Sequence, residues 1–241
     1  MNPVLMLVRN ALELTKRAIA SVQAQDIPVQ LLCVDNDSTD GTAEWLEEQH
    51  IWNYRASPQL GVSKGWNYGL RYFFETGADY VLVLNNDIIA RPDAYRELLA
   101  DGGPFVTCVG VNTFEESQKT FVKAVRPNPD FSFYLIRREV WERVGEFDES
   151  MVHYVSDGDF HCRMHAAGIP AYTIGLPFYH VASGTLKNAN HRDHLEIQRQ
   201  ADADRDTFHR KWGFKMASPE YEAFFAAPPS ERAYGTSGKA T

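Results

Sequence analysis

Short apolar runs alternate with longer amphipathic segments along the N-terminal half of the chain. The runs are typical of strands buried on both faces of a sheet, and YVLVL is the most apolar and β-branched of them. They occupy residues 3–8, 29–34, 51–55 and 80–84. Between them, apolar residues recur at helical spacing, as at Leu12, Ile19 and Val22. Strands that alternate with helices predict an α/β domain whose mostly parallel, Rossmann-like sheet has helices on both faces.

Polar residues and a proline indicate where the helices of this half begin. Asp37 or Ser38 is predicted to cap the helix that follows the second strand, and Ser63 is predicted to cap the next one. Pro92 is predicted to be the first residue of another helix, because proline fits the first helical turn.

The pattern changes after Phe105. Strand-like runs with short spacers follow at residues 105–111, 120–125 and 131–136. They predict mixed or antiparallel strands added to the sheet. Further helices are predicted over residues 138–144, 157–167 and 190–211. From Ala226 the chain is rich in Pro, Ser and Gly, so residues 1–215 are interpreted as a single domain and residues 216–241 as a partly disordered tail.

Composition narrows the classes of partner. The chain is 44% hydrophobic and 23% charged, as in soluble globular proteins, and its net charge is −8. An acidic chain without a block of Lys or Arg is a poor candidate for binding nucleic acid. No apolar run approaches the ~20 residues of a membrane span, and no signal peptide is recognised. Three cysteines, none close to another, are typical of reduced thiols, so a cytoplasmic location is expected.

Polar segments follow several of the predicted strands. In VDNDSTDGT, Asp35 and Asn36 stand at the end of a strand, where short carboxylate and amide side chains can hydrogen-bond a base and a ribose. Asp37, Ser38 and Asp40 are more typical of helix caps. Because parallel sheets bind ligands at the carboxyl ends of their strands, ligand contact is favoured for the first two residues.

Two further segments are weak signals on their own. The glycines of GVSKGWNYG permit close approach of the backbone to an anion, but the segment lacks the dinucleotide-binding fingerprint. Asp87 ends the segment NND after the most apolar strand. A carboxylate at that place suits Mg²⁺ or Mn²⁺ bound together with a diphosphate, although an ordinary Asn/Asp turn has the same residues.

Carboxylates and a histidine in the second half are also candidates for chemistry. Asp157 and Asp159 stand at the start of a predicted helix, where they could supply a general base or only interact with the helix dipole. His180 lies in PFYHVASGT, and a lone histidine is more often structural than a ligand. The residues alone leave these alternatives open.

In their order and spacing, these segments resemble the GT-A-fold glycosyltransferases of family 2, the inverting group that includes rhamnosyl-, galactosyl- and N-acetylglucosaminyl-transferases. The resemblance runs from about Val4 to Gly213. The segments that carry it are VDNDSTDGT, LGVSKGWNYG, LNNDIIARPD, FYLIRREVWERVGEFDES, SDGDFHCRMHAAG and KWG. LNNDIIARPD looks like the family's metal-binding D-x-D region in an Asn-Asn-Asp variant, and SDGDFHCRMHAAG looks like its catalytic helix.

The resemblance implies a GT-A fold with a nucleotide-sugar-binding half at about 1–103 and an acceptor-binding half at about 104–215. It assigns contacts with the nucleotide sugar to Val8, Arg9, Asp35, Asn36, Lys64, Gly65, Asn86 and Asp87. It also implies that Asp87 binds Mn²⁺ or Mg²⁺, that His180 is a ligand of the same metal or contacts the diphosphate, and that Asp157 is the catalytic base. The implied reaction transfers a sugar, with inversion, from a nucleoside-diphosphate sugar to an acceptor hydroxyl. UDP or dTDP is favoured, and the acceptor is a glycan, a lipid-linked glycan or a protein.

The chain departs from the family pattern at Ser156, where the family usually has Glu. Asp157 is retained as the base because Asp159 and Arg163 stand at the expected spacing after it. Asp159 is the second choice.

Two other functions are considered. A sugar-1-phosphate nucleotidyltransferase also has an α/β sheet and Mg²⁺, but its first strand–helix turn would be glycine-rich and basic, whereas residues 8–11 read VRNA. A degenerate nucleotide-sugar-binding module without catalysis is favoured by Ser156 alone.

Overall fold

A mixed β-sheet lies at the centre of the structure, which is a computed structural model. The structure describes residues 2–119, 129–181 and 191–228, apart from the side chains of residues 191–194. The strands are β1 (Asn2–Val8), β2 (Val29–Asn36), β3 (Asn53–Ala56), β4 (Tyr80–Asn85), β5 (Ile88–Ile89), β6 (Phe105–Val111), β7 (Phe133–Arg137) and β8 (Ala171–His180). The α-helices are α1 (Leu12–Gln23), α2 (Thr42–Glu48), α3 (Val62–Glu75), α4 (Ala94–Asp101), α5 (Arg138–Val144), α6 (Ser156–Ala166), α7 (His191–Trp212) and α8 (Pro219–Ala226).

The strand order divides the sheet into a parallel and a mixed part. Within the described residues the order is β3-β2-β1-β4-β7-β6-β8-β5. The first four strands are parallel to one another. Strand β7 is antiparallel to both of its neighbours, β4 and β6, while β6 and β8 are parallel. This arrangement confirms the prediction of a parallel sheet extended by mixed strands.

Helices cover both faces of the sheet because β1 alternates its side chains between two apolar layers. Val4, Met6 and Val8 pack in one layer with residues of α1 and α4. Leu5 and Leu7 pack in the other, which includes aromatic residues of α3. Burial on both faces explains why the strand reads as a continuous apolar run.

Helix α3 lies unusually close to β1. A Cβ atom at Gly65 would overlap the side chain of Leu7, and one at Gly69 would overlap that of Leu5. Glycines four residues apart lie on the same face of a helix. The two glycines of GVSKGWNYG therefore permit close packing of α3 on the sheet.

Three predicted helix starts are wrong. Helix α2 begins at Thr42, four or more residues after Asp37 and Ser38, and its N-cap residue is Gly41. Ser63 lies inside α3, where its hydroxyl donates to the carbonyl of Met151. Pro92 precedes α4 by two residues. A local cap pattern was therefore not sufficient to predict the first residue of any of these three helices.

Two strands, β5 and β8, were not predicted, and the C-terminal region has more structure than its composition indicates. Helix α8 packs against α6 and α7 through Tyr221, whose side chain is fully buried. The predicted strand at 120–125 and the remainder of the predicted tail, 229–241, lie outside the described residues. None of the helices in the described part of the chain has the length and apolar character needed to cross a membrane.

Candidate active site

The carboxyl ends of β1 and β2 are joined by a hydrogen-bonded pair of loops. Asn10 and Ala11, directly after β1, both have left-handed backbones, with φ of 55° and 59°. The Asn10 amide donates to Ser38 Oγ over 2.8 Å, and the Thr39 amide donates to Asn10 Oδ1 over 2.8 Å. The Leu12 amide donates to Asp40 Oδ2 over 3.0 Å. Ser38 and Asp40, two of the three predicted cap residues, therefore hold the two loops together, and Asp40 Oδ1 also accepts the amide of Thr42, the first residue of α2, over 3.1 Å.

Asp35 is the most unusual carboxylate at this edge of the sheet. It is fully buried, and its Oδ2 accepts the Ser38 amide over 3.2 Å. Its Oδ1 is buried and has no hydrogen-bond partner among the described residues. Burial raises the pKa of this carboxyl group. A buried acceptor without a donor is rare in proteins, so it indicates a place for a donor from a ligand.

The neighbouring residues of the predicted nucleotide site have structural contacts. Asn36 Oδ1 accepts the amides of Leu60 and Gly61 over 2.6 and 3.3 Å, which holds the loop before α3. The side chain of Val8 is buried in the core. Arg9 is partly exposed. The pKa of His153 is lowered mainly by the burial of His153 and, to a smaller extent, by the positive charge of Arg9. Among these residues, Arg9 is the one whose side chain is accessible to a ligand.

Asn86, Lys64 and Gly65 lie in three different environments. The amide nitrogen of Asn86 donates to Asn10 O over 3.0 Å and to Thr15 Oγ1 over 2.8 Å, and so fixes the end of β4 against the loop after β1. The Lys64 ammonium is exposed and lies 3.8 Å from Glu149 Oε2. Gly65 faces β1, as described above.

Asp87 and His180, the two predicted metal ligands, lie side by side. Strand β5 pairs with β8 so that Ile88 is opposite His180, and the Val181 amide donates to Asp87 O over 3.0 Å. His180 Nε2 is 3.4 Å from Asp87 Oδ1, and this hydrogen bond raises the pKa of His180. Adjacent ligands of an octahedral ion lie about 3 Å apart, so the pair fits a divalent cation.

The described residues contain no cluster of three or more His, Cys, Asp or Glu side chains that could hold a metal ion. A cation at Asp87 and His180 would therefore have two ligands from this part of the chain. Mg²⁺ and related ions are commonly bound in this way, with phosphate oxygens and water completing the coordination.

A carboxylate that the sequence did not reveal, Asp130, lies near enough to both His180 and Asp157 to act on them through its charge. Burial raises the pKa of Asp157 and the hydrogen bond with Asp87 raises that of His180, and the negative charge of Asp130 adds to both effects. Asp130 Oδ1 also accepts the Ser132 amide over 2.9 Å. Asp130 lies in the segment NPDFS, which is part of none of the motifs found in the sequence, so its position near the site is apparent only from the fold.

Asp157 lies at the start of α6 in the wall of a cavity of about 930 Å³. Its Oδ1 accepts the Gly158 amide over 2.9 Å, and burial raises its pKa. The cavity is bordered by residues 129–132, 153–157, 202, 205, 206, 208, 209 and 215–217, with Val62, Trp66 and Asn85. The base candidate therefore opens into a space large enough for a sugar-sized molecule.

Asp159, the second choice for the base, has a different role. It is fully buried, and its Oδ2 accepts Arg163 Nε over 2.8 Å. Its Oδ1 lies 2.8 Å from Lys211 Nζ and accepts Trp212 Nε1 over 2.9 Å. Asp159 therefore ties α6 to the end of α7, and the KWG segment supplies two of its partners. This geometry favours Asp157 as the base.

Comparison with known proteins identifies similar chains. The family model described as glycosyl transferase family 2 matches residues 4–164. No curated protein sequence matches this chain significantly.

Solved structures share the fold at low sequence identity. The mannosyltransferase PcManGT from Pyrobaculum calidifontis, solved with GDP-Man and Mn²⁺, is 18% identical with a TM-score of 0.62, and the match covers 93% of this chain and 67% of that one. TarS 1–349 from S. aureus, solved with UDP, is 16% identical with a TM-score of 0.59 and coverages of 92% and 77%. GalNAc-T7, solved with UDP, GalNAc and Mn²⁺, is 13% identical with a TM-score of 0.64 and coverages of 96% and 55%.

Proposed function

Since the chain belongs to glycosyl transferase family 2, we propose that it is an inverting enzyme in which Asp157 accepts the proton of an acceptor hydroxyl. Its GT-A fold and its family make it a glycosyltransferase. The observation that carries the proposed mechanism is the contrast on α6. Asp157 opens into the cavity, whereas Asp159 is enclosed by Arg163 and Lys211.

The donor is a nucleoside-diphosphate sugar at the carboxyl ends of β1, β2 and β4. Asp35 Oδ1 is a buried acceptor that suits an N–H group of a base or a hydroxyl of a ribose. The N3–H group of uracil or thymine can donate to this acceptor, and UDP and dTDP sugars are the proposed donors because the sequence resemblance favours them. Arg9, partly exposed beside this edge, is available to the same nucleotide.

A divalent cation, Mn²⁺ or Mg²⁺, is proposed at Asp87 and His180. Both the mannosyltransferase and the GalNAc-T7 structures contain Mn²⁺. Such an ion would stabilise the negative charge that develops on the leaving diphosphate. Asp87 supplies a carboxylate and His180 an imidazole, and the short contact between them places both donors at one point.

The acceptor enters the cavity in front of Asp157. Its hydroxyl oxygen forms a bond to the anomeric carbon while the bond from that carbon to the diphosphate breaks, and the proton passes to Asp157. A single displacement of this kind inverts the anomeric centre. The raised pKa of Asp157 improves it as a proton acceptor, because a base is most efficient when its pKa approaches the working pH.

The lining of the cavity suits a polar, hydroxyl-rich acceptor. Tyr154 and the small exposed part of the largely buried Trp66 offer aromatic surface, and Arg205 and Asp202 offer charged hydrogen-bonding groups at the border. Acceptors of the glycan type, free, lipid-linked or on a protein, have such hydroxyl groups. The aromatic rings would contact the apolar faces of the sugar rings.

The proposal is tested by calorimetric titration of UDP, dTDP and GDP, each with Mn²⁺ and again with EDTA. We expect UDP or dTDP to bind in Mn²⁺ and to bind more weakly in EDTA. Asp87→Asn should remove the effect of Mn²⁺, whereas the control Asp148→Asn, which lies outside the donor site and pairs with Lys211, should retain it. Absence of binding by all three nucleotides under both conditions would refute the proposal.

A further inference from the structure

Helix α7 carries a fully buried carboxylate, Asp204, that the proposed chemistry does not use. Its Oδ1 accepts the amide of Val152 over 3.0 Å and Gln200 Nε2 over 2.7 Å. Its Oδ2 accepts the amides of His153 and Tyr154 over 2.8 and 2.9 Å. None of these four donors is charged. A buried carboxylate that binds three consecutive backbone amides holds that stretch of backbone in one conformation.

The stretch held in this way leads directly into the base. Val155 follows it with φ of 55°, a left-handed backbone that is strained for a β-branched residue. Helix α6 then begins at Ser156, and Asp157 is its second residue. A strained backbone persists only where its surroundings impose it. The hydrogen bonds of Asp204 to the three preceding residues are the contacts that impose it from the side of α7.

The same stretch is held from the opposite side by the start of α3. The carbonyl of Val152 accepts the amides of Val62 and Ser63 over 2.7 and 3.3 Å. Gly61 lies so close to Val152 that a Cβ atom on it would overlap the valine side chain. The segment 151–154 is therefore fixed between α3 and α7, and Asp204 supplies the contacts from α7.

Helix α7 also borders the cavity. Arg205, next to Asp204, lines it, and its guanidinium carbon lies 5.8 Å from the centre of the Tyr154 ring. Asp204, which holds the segment before Asp157, and Arg205, which lines the cavity, are thus neighbours on one helix. Any displacement of α7 would move both.

We propose that Asp204 is a positioning residue that sets the place of Asp157 against the acceptor, an inference that rests on the proposed function. Proton transfer requires the base within hydrogen-bond reach of the reacting hydroxyl. A misplacement of about 1 Å can lower a rate by about 10²-fold. Loss of the Asp204 contacts lets the backbone at Val155 relax, which moves Asp157 without altering Asp35, Asp87 or His180.

The test compares Asp204→Asn with two other variants. In Asn an –NH₂ group replaces one of the two carboxylate oxygens. This group is a donor and cannot accept a backbone N–H, so at least one of the three hydrogen bonds is lost. Ala201→Gly is the control for stability, because it weakens the same helix at a buried position and leaves the carboxylate in place. Gln200→Met removes one donor to Asp204 and is a milder variant in case Asp204→Asn does not fold.

Besides Tm from thermal unfolding, two quantities are measured for each variant. The first is calorimetric affinity for UDP, dTDP and GDP in Mn²⁺. The second is kcat for hydrolysis of a sugar nucleotide with water as the acceptor, with UDP-N-acetylglucosamine, UDP-galactose, dTDP-rhamnose and GDP-mannose as probes. For Asp204→Asn we expect unchanged nucleotide affinity and a fall in kcat of about 10- to 100-fold. For Gln200→Met we expect a smaller fall in kcat, and for Ala201→Gly a lower Tm with kcat unchanged.

The outcomes separate the two proposals. Unchanged kcat in Asp204→Asn, or in Gln200→Met if the first variant does not fold, would refute the role of Asp204 and leave the proposed function intact. An equal fall in kcat for Ala201→Gly at equal loss of Tm would show that Asp204 acts through stability alone. Absence of nucleotide binding and hydrolysis in the unsubstituted protein would refute the proposed function itself.

Discussion

Asp157 and Asp159 show how two like residues acquire different environments on one helix. Residues two apart on an α-helix point about 200° from one another, so they face opposite directions. Asp157 faces the cavity, and Asp159 faces Arg163, Lys211 and Trp212. The sequence placed both at the start of a helix, but two of the partners of Asp159, Lys211 and Trp212, lie more than fifty positions away along the chain. No local pattern could show that they enclose it.

We predict that Asp159→Ala destabilises the protein strongly. Removing one member of a buried ion pair typically costs about 3–5 kcal/mol, and here it removes the carboxylate that pairs with both Arg163 and Lys211. Urea unfolding measures the free energy of unfolding. Asp157→Ala is the matched control, since Asp157 forms no ion pair within the described residues. Equal effects of the two substitutions would contradict the structural role of Asp159.

The charge of Asp157 should lower stability at neutral pH. Burial raises its pKa, so the folded protein binds a proton more tightly than the unfolded chain, whose Asp pKa is about 3.9. The stability that comes from the protonated form is complete below about pH 3.9 and is lost as the pH rises through the raised pKa.

Asp157→Asn carries no such charge, so its Tm should exceed that of the unsubstituted protein at pH 7. The difference should shrink as the pH is lowered toward 4. Thermal unfolding at a series of pH values measures both effects. A difference in Tm that is constant between pH 4 and pH 7 would show that burial of this charge does not affect stability.

At the scale of elements, β8 explains why part of the site could not be predicted. The strand contains Gly175 and Pro177, which interrupt the apolar pattern that indicates a strand. Its far end brings His180 to Asp87 through pairing with β5, which is only two residues long. The sequence identified both metal candidates from a family resemblance, but their contact depends on long-range pairing. Asp130 lies in no recognised motif and no periodic pattern, so the sequence did not indicate it.

Close packing of α3 on β1 gives a prediction at the same scale. Gly69→Ala should destabilise the protein, because overpacking a dense core costs about 1–3 kcal/mol, whereas alanine gains at most about 1 kcal/mol over glycine in helix propensity. The clash is with Leu5. In a Leu5→Ala background the cost of Gly69→Ala should therefore be smaller, which a double-mutant cycle measured by urea unfolding would show. Additive effects would argue against the contact.

At the scale of the whole molecule, the candidate site takes residues from both the parallel part and the mixed part of the sheet. Asp35 and Asp87 come from the N-terminal half, while Asp157 and His180 come from the C-terminal half. The alternation of strands and helices predicted the first part well, because each of its elements is local and strongly patterned. The second part depends on antiparallel pairing and on α7, whose contacts with α6 the sequence does not display.

The division into a nucleotide-sugar-binding half and an acceptor-binding half remains a prediction, and the proposed metal ligands, Asp87 and His180, come from different halves. The proposed donor site therefore needs both halves of the sheet, joined through β5 and β8. The proposed base and the cavity proposed for the acceptor similarly combine α6 with α7.

The proposed role of Asp157 as the base is tested most directly by measuring sugar-nucleotide hydrolysis by Asp157→Asn together with its nucleotide affinity in Mn²⁺. A general base contributes about 10²–10⁴-fold to a rate, so kcat should fall by that factor while the affinity stays unchanged. Because Asp157→Asn replaces only one carboxylate oxygen, this result would show that the carboxylate is needed for catalysis but not for nucleotide binding. Hydrolysis at the rate of the unsubstituted protein would show that Asp157 is not the base and would contradict the proposed mechanism.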